Sequence, residues 1–179
     1  MPFWAKSPAV GNKMINARAE SVAEKPAFRD SFRRRRCLVT ADGFYEWKRE
    51  GKAKQPYLIR RVDRRPFAFA GLWSLWRDPQ LPQLSPAGVP IPPLATFTIL
   101  TTAANDLMQP LHDRMPVILT PDRFDLWLDP AVGPGGGDTA RLLPLLAPAA
   151  AAGWETVPVS QSVNSPAHDA PDCVEPLVV

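Results

Sequence analysis

The chain holds only two cysteines, Cys37 and Cys173, and two histidines in 179 residues. That is too little thiol for a disulfide scaffold, and the spacings fit no zinc pattern, so no metal centre and no cofactor is expected. No apolar run approaches the ~18–20 residues of a membrane-spanning helix, which argues against an integral membrane protein. No charged-then-apolar leader precedes the first polar segment, so the expected setting is a reducing cytoplasm. What the chain has in excess is proline, 22 residues where ~5% of a chain is usual. Proline at that density excludes a helical bundle and favours loops and short strands. The length suits one domain spanning 1–179.

The net charge of +3 conceals an asymmetry. Residues 1–65 carry 17 Lys/Arg against 7 Asp/Glu, and residues 66–179 carry 4 against 11, so the first third is +10 and the remainder −7. The excess lies in Arg33–Arg36, Lys48-Arg49, Lys52, Lys54, Arg60-Arg61 and Arg64-Arg65. Such density suits a polyanion such as nucleic acid, or serves as a solvated charged face.

From Cys37 to Leu72 the pattern is β. Cys37–Ala41, Asp42-Gly43 and Phe44–Lys48 read as a tight hairpin, because Asp-Gly is a strong two-residue turn signal. Pro56–Arg60 and Phe67–Leu72 continue it as an antiparallel meander of four strands. Residues 79–95 hold six prolines and read as an extended surface loop. Thr96–Thr101 alternates like a strand, Ala103–Met108 reads as a short helix, and Pro116–Leu119 as a buried strand. Thr120-Pro121 starts a helix with Thr at the N-cap and Pro at the first position. Residues 129–153 are Gly/Ala/Pro-rich with room for a short helix near Ala140–Leu146, and Glu155–Val159 is a closing strand. Mixed strands and short helices in this order predict an α+β fold.

Four polar residues stand where a structural design has no need of them: Asn16, Glu46 inside an aromatic strand, His112 and Arg114. Each also has a plainer role. Glu46 alternates with Tyr45 and Trp47 and suits an exposed hairpin face, His112 a packed or capping position, Asn16 a turn, and Arg18 a surface ion pair. The tunable pKa of histidine is what draws attention to His112.

Taken together, Pro2-Phe-Trp-Ala5, Ile15-Asn-Ala-Arg-Ala-Glu20, Arg36-Cys-Leu-Val-Thr-Ala-Asp-Gly-Phe-Tyr-Glu-Trp-Lys48, Phe69-Ala-Gly-Leu-Trp73, Thr98–Asn105, His112-Asp-Arg-Met-Pro116 and Val159–Asn164 strongly resemble the SRAP family. These are the SOS-response-associated peptidases, also called abasic site processing proteins. The resemblance implies an α+β fold with an antiparallel, barrel-like β core. It also implies a basic channel for single-stranded DNA containing abasic sites, and a monomer located at the nucleoid. In the family a cysteine directly after the initiator Met closes a thiazolidine with the abasic aldehyde through a Schiff base, and the same machinery removes that Met. Carried over by motif, Asn16 would hold the cysteine's amine, Glu46 would transfer protons, and His112 would assist ring opening as acid or base. Arg18 and Arg114 would bind phosphates, and Trp4 would stack beside the lesion.

Family members carry a Met-Cys-Gly-Arg segment and further residues ahead of the Pro-Phe-Trp motif, whereas this sequence starts at Met1-Pro2. The expectation is a start assigned inside a longer reading frame, with N-terminal strands missing; genuine truncation is the rival. The first reading makes the gene product a covalent trap for abasic sites, and the second makes the chain a non-catalytic DNA-binding remnant. A general thiol protease is disfavoured, since no cysteine lies near His112 in sequence.

Overall fold

The run Phe67-Ala-Phe-Ala-Gly-Leu72 alternates bulky and small side chains, so the strand it forms presents a thick face and a thin one. Around it the computed structural model describes residues 1–2, 4–51, 53–133 and 138–177. Phe3 of the Pro-Phe-Trp motif, Lys52 of the basic stretch and residues 134–137 of the Gly/Ala/Pro-rich segment thus lie outside the described residues. In chain order come α1 (Pro8–Asn12), β1 (Asn16–Arg18), α2 (Arg29–Arg34), β2 (Arg36–Ala41), β3 (Gly43–Glu50), β4 (Ala53–Arg61), β5 (Phe67–Trp76), β6 (Leu94–Ala103), β7 (Arg114–Pro116), β8 (Ile118–Leu119), α3 (Phe124–Leu128) and β9 (Trp154–Pro158). Six strands form one sheet in the order β1-β6-β5-β2, with β7 on β6 and β8 on β5; β3-β4-β9 form a second. The fold is α+β, as expected, with the strands curled into a half-barrel.

β5 separates two cores. Its thick face sends Phe67 and Phe69 into a cluster with Ile59, Met108, Met115 and Ile118. Phe44 and Trp154 of the smaller sheet close on them edge to face, with Phe44–Phe69 at 5.6 Å and Phe67–Trp154 at 4.7 Å between ring centroids. Its thin face, Ala70 and Leu72, admits Phe32, Trp127, Leu142, Leu145 and Leu146 from the helical side. Each fully buried side chain of this size contributes roughly 1.5–3 kcal/mol. Leu142 and Leu145 sit three apart on a 3-10 helix, Thr139–Leu146, where that spacing puts them on one face.

Several expectations need correction. Asp42-Gly43 is no hairpin: β2 pairs with β5, and β3 pairs with β4, so Asp42 is a corner where the chain passes between sheets. Val39, Ala41 and Phe44 all pack on the same core, which lies between the sheets, and the corner lets the chain line both walls. Gly43 serves close approach, since a Cβ there would lie 2.8 Å from Leu58 Cδ1 and 3.2 Å from the Ile59 carbonyl oxygen. The true hairpin is β3-β4, closing at Glu50–Ala53 with Gly51 at φ 64°. β4 and β5 belong to different sheets, so the four-strand meander does not form. The larger sheet is also mixed, because β1 runs parallel to β6. No helix forms at 103–108: Ala103 ends β6 and the turn follows from residue 106. The Asn105 side chain competes for the backbone there, accepting from Met108 N at 3.0 Å and donating to the Ala149 carbonyl at 2.8 Å.

The basic run also divides. Arg36 is 9% exposed and donates to five carbonyls: Phe32 (2.8 Å), Arg33 (2.7 Å), Trp127 (2.6 Å), Asp129 (2.6 Å) and Val132 (3.0 Å). These oxygens belong to the ends of α2 and α3 and the turn beyond, where helices leave carbonyls unsatisfied. Desolvation pulls the Arg36 pKa down, opposed by the charge of Asp129, yet a guanidinium keeps its charge at neutral pH. Gly133, at φ 106°, closes the cradle; a Cβ on it would lie 2.3 Å from the Arg33 carbonyl oxygen. Arg34 and Arg35 pair with Asp30, Arg60 and Arg64 with Glu155, and Arg61 with Asp63. Much of the apparent polyanion-binding density is therefore committed within the fold.

Replacing Arg36 by Lys, which offers no planar fork, is expected to cost about 2–3 kcal/mol in urea unfolding. Arg33→Lys, on an exposed side chain, is expected to stay within about 0.5 kcal/mol. Equal effects of the two would disprove the cradle.

Candidate functional site

β1 is only three residues long, and its pairing with β6 aligns Asn16 with Ile99 and Arg18 with Thr101. Ala17 is buried beneath the strand, which leaves Asn16 and Arg18 exposed on the opposite face. On the other side of β6, Ala103 pairs with Arg114 and Thr101 with Pro116 of β7. The chain thus brings Asn16, Arg18, His112 and Arg114 to one end of the larger sheet.

Arg114 is locked there. Its Nη1 and Nη2 donate to Glu20 Oε1 and Oε2 at 2.6 and 3.0 Å, and Nη2 also donates to the Thr101 carbonyl at 2.6 Å. The bidentate fork bridges the segment after β1 to β7 across β6. Hydrogen bonding from Arg114 holds the Glu20 carboxyl below its ordinary range. Arg114 Nε is buried and finds no partner among the described residues.

The backbone of Arg114 also orients His112. Its N–H donates to His112 Nδ1 at 3.0 Å, which in the neutral ring leaves the proton on Nε2. Asp113 Oδ1 lies 3.1 Å from the same Nδ1, and the Arg114 carbonyl 3.3 Å. A protonated ring would turn its Nδ1–H to these oxygens. His112 has a partner in either state, and its side chain is exposed.

Glu46 lies on β3 with Phe44 on one face, while Tyr45 and Trp47 occupy the other. The Tyr45 hydroxyl donates to the Cys173 carbonyl at 2.9 Å and Trp47 Nε1 to Asn164 Oδ1 at 2.8 Å, so both aromatics fasten the C-terminal segment. Glu46 is half-buried, its Oε1 accepting from Trp47 N at 3.1 Å. Its cross-strand neighbour Tyr57 packs in the apolar cluster that also includes Ile99, Leu111 and Met115, the residues opposite Asn16 and beside His112 and Arg114. Among the described residues no hydrogen bond or ion pair joins Glu46 to Asn16 or His112.

Trp4 is 48% exposed on a segment tied to the sheet through Trp76 Nε1, which donates to the Ala5 carbonyl at 2.6 Å, and through the Met1 amine, which donates to Thr96 Oγ1. The thiol of Cys37 is half-buried, and desolvation pushes its pKa up, which disfavours it as a nucleophile. Sequence reading gave no role to Glu20. It entered only as the last residue of the Ile15–Glu20 motif, and nothing in the sequence marks a distant Arg as its partner.

Replacing Glu20 by Gln tests the lock. A carboxyl whose folded pKa is lowered contributes stability that is present above its ordinary value of 4.5 and lost as pH falls through the folded value. The stability gap between wild type and Glu20→Gln is therefore expected to be constant near neutrality and to close in acid, with a size below about 1 kcal/mol because Glu20 is half exposed. A gap independent of pH would refute the assignment.

Comparison with known proteins bears on this arrangement. The abasic site processing protein YoqW of Bacillus subtilis is 44% identical over 176 residues, covering 98% of this chain and 72% of its own. The abasic site processing protein HMCES of Gallus gallus is 30% identical over 99% of this chain and 55% of its own. A crystal structure of a protein from Bacteroides thetaiotaomicron superposes with a TM-score of 0.81 at 30% identity, over 99% of this chain and 73% of that one. The family described as SOS response associated peptidase (SRAP) matches residues 1–166, and the chain belongs to it.

Proposed function

We propose that the protein processes abasic sites in single-stranded DNA, with the lesion held at the β1/β6/β7 end of the larger sheet. The observation that carries this reading is His112. Its ring is held by the Arg114 amide, beside the Glu20–Arg114 fork and on the same sheet end as Asn16. The names of the relatives point to the same lesion.

In this reading the closed abasic sugar opens when His112, as imidazolium, gives its Nε2 proton to the ring oxygen while the C1 hydroxyl gives up its proton to water, so that the C1–ring-oxygen bond breaks and the C1 aldehyde is freed. An amine adds to C1, and loss of water leaves an imine. A thiol then adds across the C=N bond, so aldehyde plus aminothiol yields thiazolidine and one water. Asn16 orients the amine by hydrogen bonding, and the half-buried Glu46 carboxylate accepts and returns the protons of the addition and dehydration steps. Arg18 faces a phosphate directly, Arg114 by sharing its guanidinium with Glu20, and Trp4 stacks on an adjacent base. Release of an initiator Met ahead of the reacting cysteine is the proposed peptidase activity.

The thiazolidine needs a thiol and a free α-amine on one residue. Cys37 and Cys173 lie within the chain and have no such amine. This favours a second reading for the 179 residues taken alone, in which they bind the lesion without trapping it.

An abasic single-stranded oligonucleotide separates the two. The 179-residue protein is expected to bind it in a salt-sensitive manner and to give no adduct on a denaturing gel. Arg18→Ala should lower the slope of log K against log salt by about 0.7. Protein isolated from its own cells, with its first residue fixed by intact mass, is expected to give an adduct if that residue is cysteine. His112→Ala should then slow adduct formation by about a hundredfold or more. Equal affinity for undamaged duplex would refute abasic-site recognition; an adduct forming at full rate without His112 would remove that residue from the chemistry.

A further inference from the structure

The second histidine and second cysteine, His168 and Cys173, match no metal-binding spacing in the sequence. The fold nevertheless brings them together with a carboxylate. A 3-10 turn at Pro171–Val174 doubles the chain back, so that a ring nitrogen of His168, a carboxylate oxygen of Asp172 and Cys173 Sγ all lie within 4.8 Å of one another. His168 Nε2 is 2.9 Å from Asp172 Oδ1, and Cys173 Sγ is 3.7 Å from the His168 carbonyl oxygen. The side chains of His168 and Asp172 are 39% and 48% exposed, so an ion reaches them from solvent.

The backbone carrying these donors is fixed from several sides. The Tyr45 hydroxyl holds the Cys173 carbonyl, and Arg60 Nη1 donates to the Val174 carbonyl at 3.3 Å. Val159 bridges to Pro176, and Leu177 N donates to the Pro158 carbonyl at 2.9 Å. Bringing the three donors around an ion therefore needs side-chain rotation and no refolding of the segment.

We propose that His168, Asp172 and Cys173 bind a single divalent ion of the zinc class, with a fourth position open to solvent. Imidazole, carboxylate and thiolate form a borderline-soft set. Calcium and magnesium take oxygen ligands, whereas zinc accepts all three donor types. An ion 2.0–2.3 Å from each donor at tetrahedral angles sets the donors roughly 3.4–3.7 Å apart, so the widest pair closes by about an ångström. On binding, the thiol proton passes to solvent and the sulfur lone pair forms the metal–sulfur bond. The His168–Asp172 hydrogen bond gives way to two metal bonds, and the carboxylate and thiolate neutralise the ion's two charges. The ion then fastens the C-terminal segment to β3 and β4 through Tyr45 and Arg60.

Tag-free protein titrated with Zn²⁺ alone is expected to take up one ion per chain and to gain thermal stability. Co²⁺ in its place is expected to show a thiolate-to-metal charge-transfer band in the near ultraviolet. Cys173→Ser should abolish that band and weaken Zn²⁺ binding at least about tenfold, His168→Gln should weaken it to a similar degree, and Cys37→Ser should change neither. Circular dichroism of each variant establishes that it is folded, and His168→Gln leaves both thiols in place should Cys173→Ser fail that check. Absence of a bound ion, a band that survives Cys173→Ser, or a band that disappears with Cys37→Ser would overturn the proposal.

Discussion

The guanidinium of Arg36 gathers five carbonyl oxygens from two separate stretches of chain, 32–33 and 127–132. Each stretch includes a helix end, and a helix of five or six residues leaves most of its terminal carbonyls unpaired. α2 and α3 are too short to persist on their own. One cation at the mouth of β2 satisfies both ends together and sets the helices against β5, where Phe32 and Trp127 fill the space left by Ala70. A buried charge of this kind is stable only while every partner is present, so the helical layer and the strand carrying Arg36 form as one unit.

The other face of β5 answers to a different constraint. Phe67 and Phe69 need a wall opposite them, and the smaller sheet supplies it because the chain turns a corner at Asp42. The same apolar cluster reaches Ile99, Leu111 and Met115, which flank the candidate site residues. Glu46 on one sheet and the Asn16–His112 end of the other are thus spaced by packed side chains. Packing of this density holds separations firmly.

Some of this was legible from residues alone. Thr96–Thr101 alternates cleanly and is part of β6, Pro116–Leu119 reads as one buried strand and is buried from Val117 on but divided between the end of β7 and β8, and the six-proline stretch excluded regular structure between β5 and β6. Other elements misled for physical reasons. Asp-Gly signals a hairpin when the glycine supplies a left-handed conformation, and Gly43 supplies room instead. A three-residue parallel strand such as β1 has no periodicity to detect. Counting charge treats Arg36 like its neighbours, because burial and pairing are tertiary facts. Asn16, Glu46 and His112 stand out as polar residues without a structural need, but their roles came from resemblance to a family, and Glu20 gained its role only once β6 brought Arg114 to it.

The excursion between β5 and β6 has its own small architecture. Leu84 bridges to Pro90, Ser85 N donates to the Val89 carbonyl, and Gly88 turns at φ 76°, while the strands on either side stay in register to the Trp76–Leu94 pair. The chain leaves and re-enters the sheet at adjacent positions, so added length there shifts no ladder and burdens only loop closure, by about 0.6 kcal/mol per doubling. That makes the tip near Gly88 a natural port on the scaffold, able to carry a fluorophore, an affinity handle or a whole inserted domain while the strands beneath remain undisturbed.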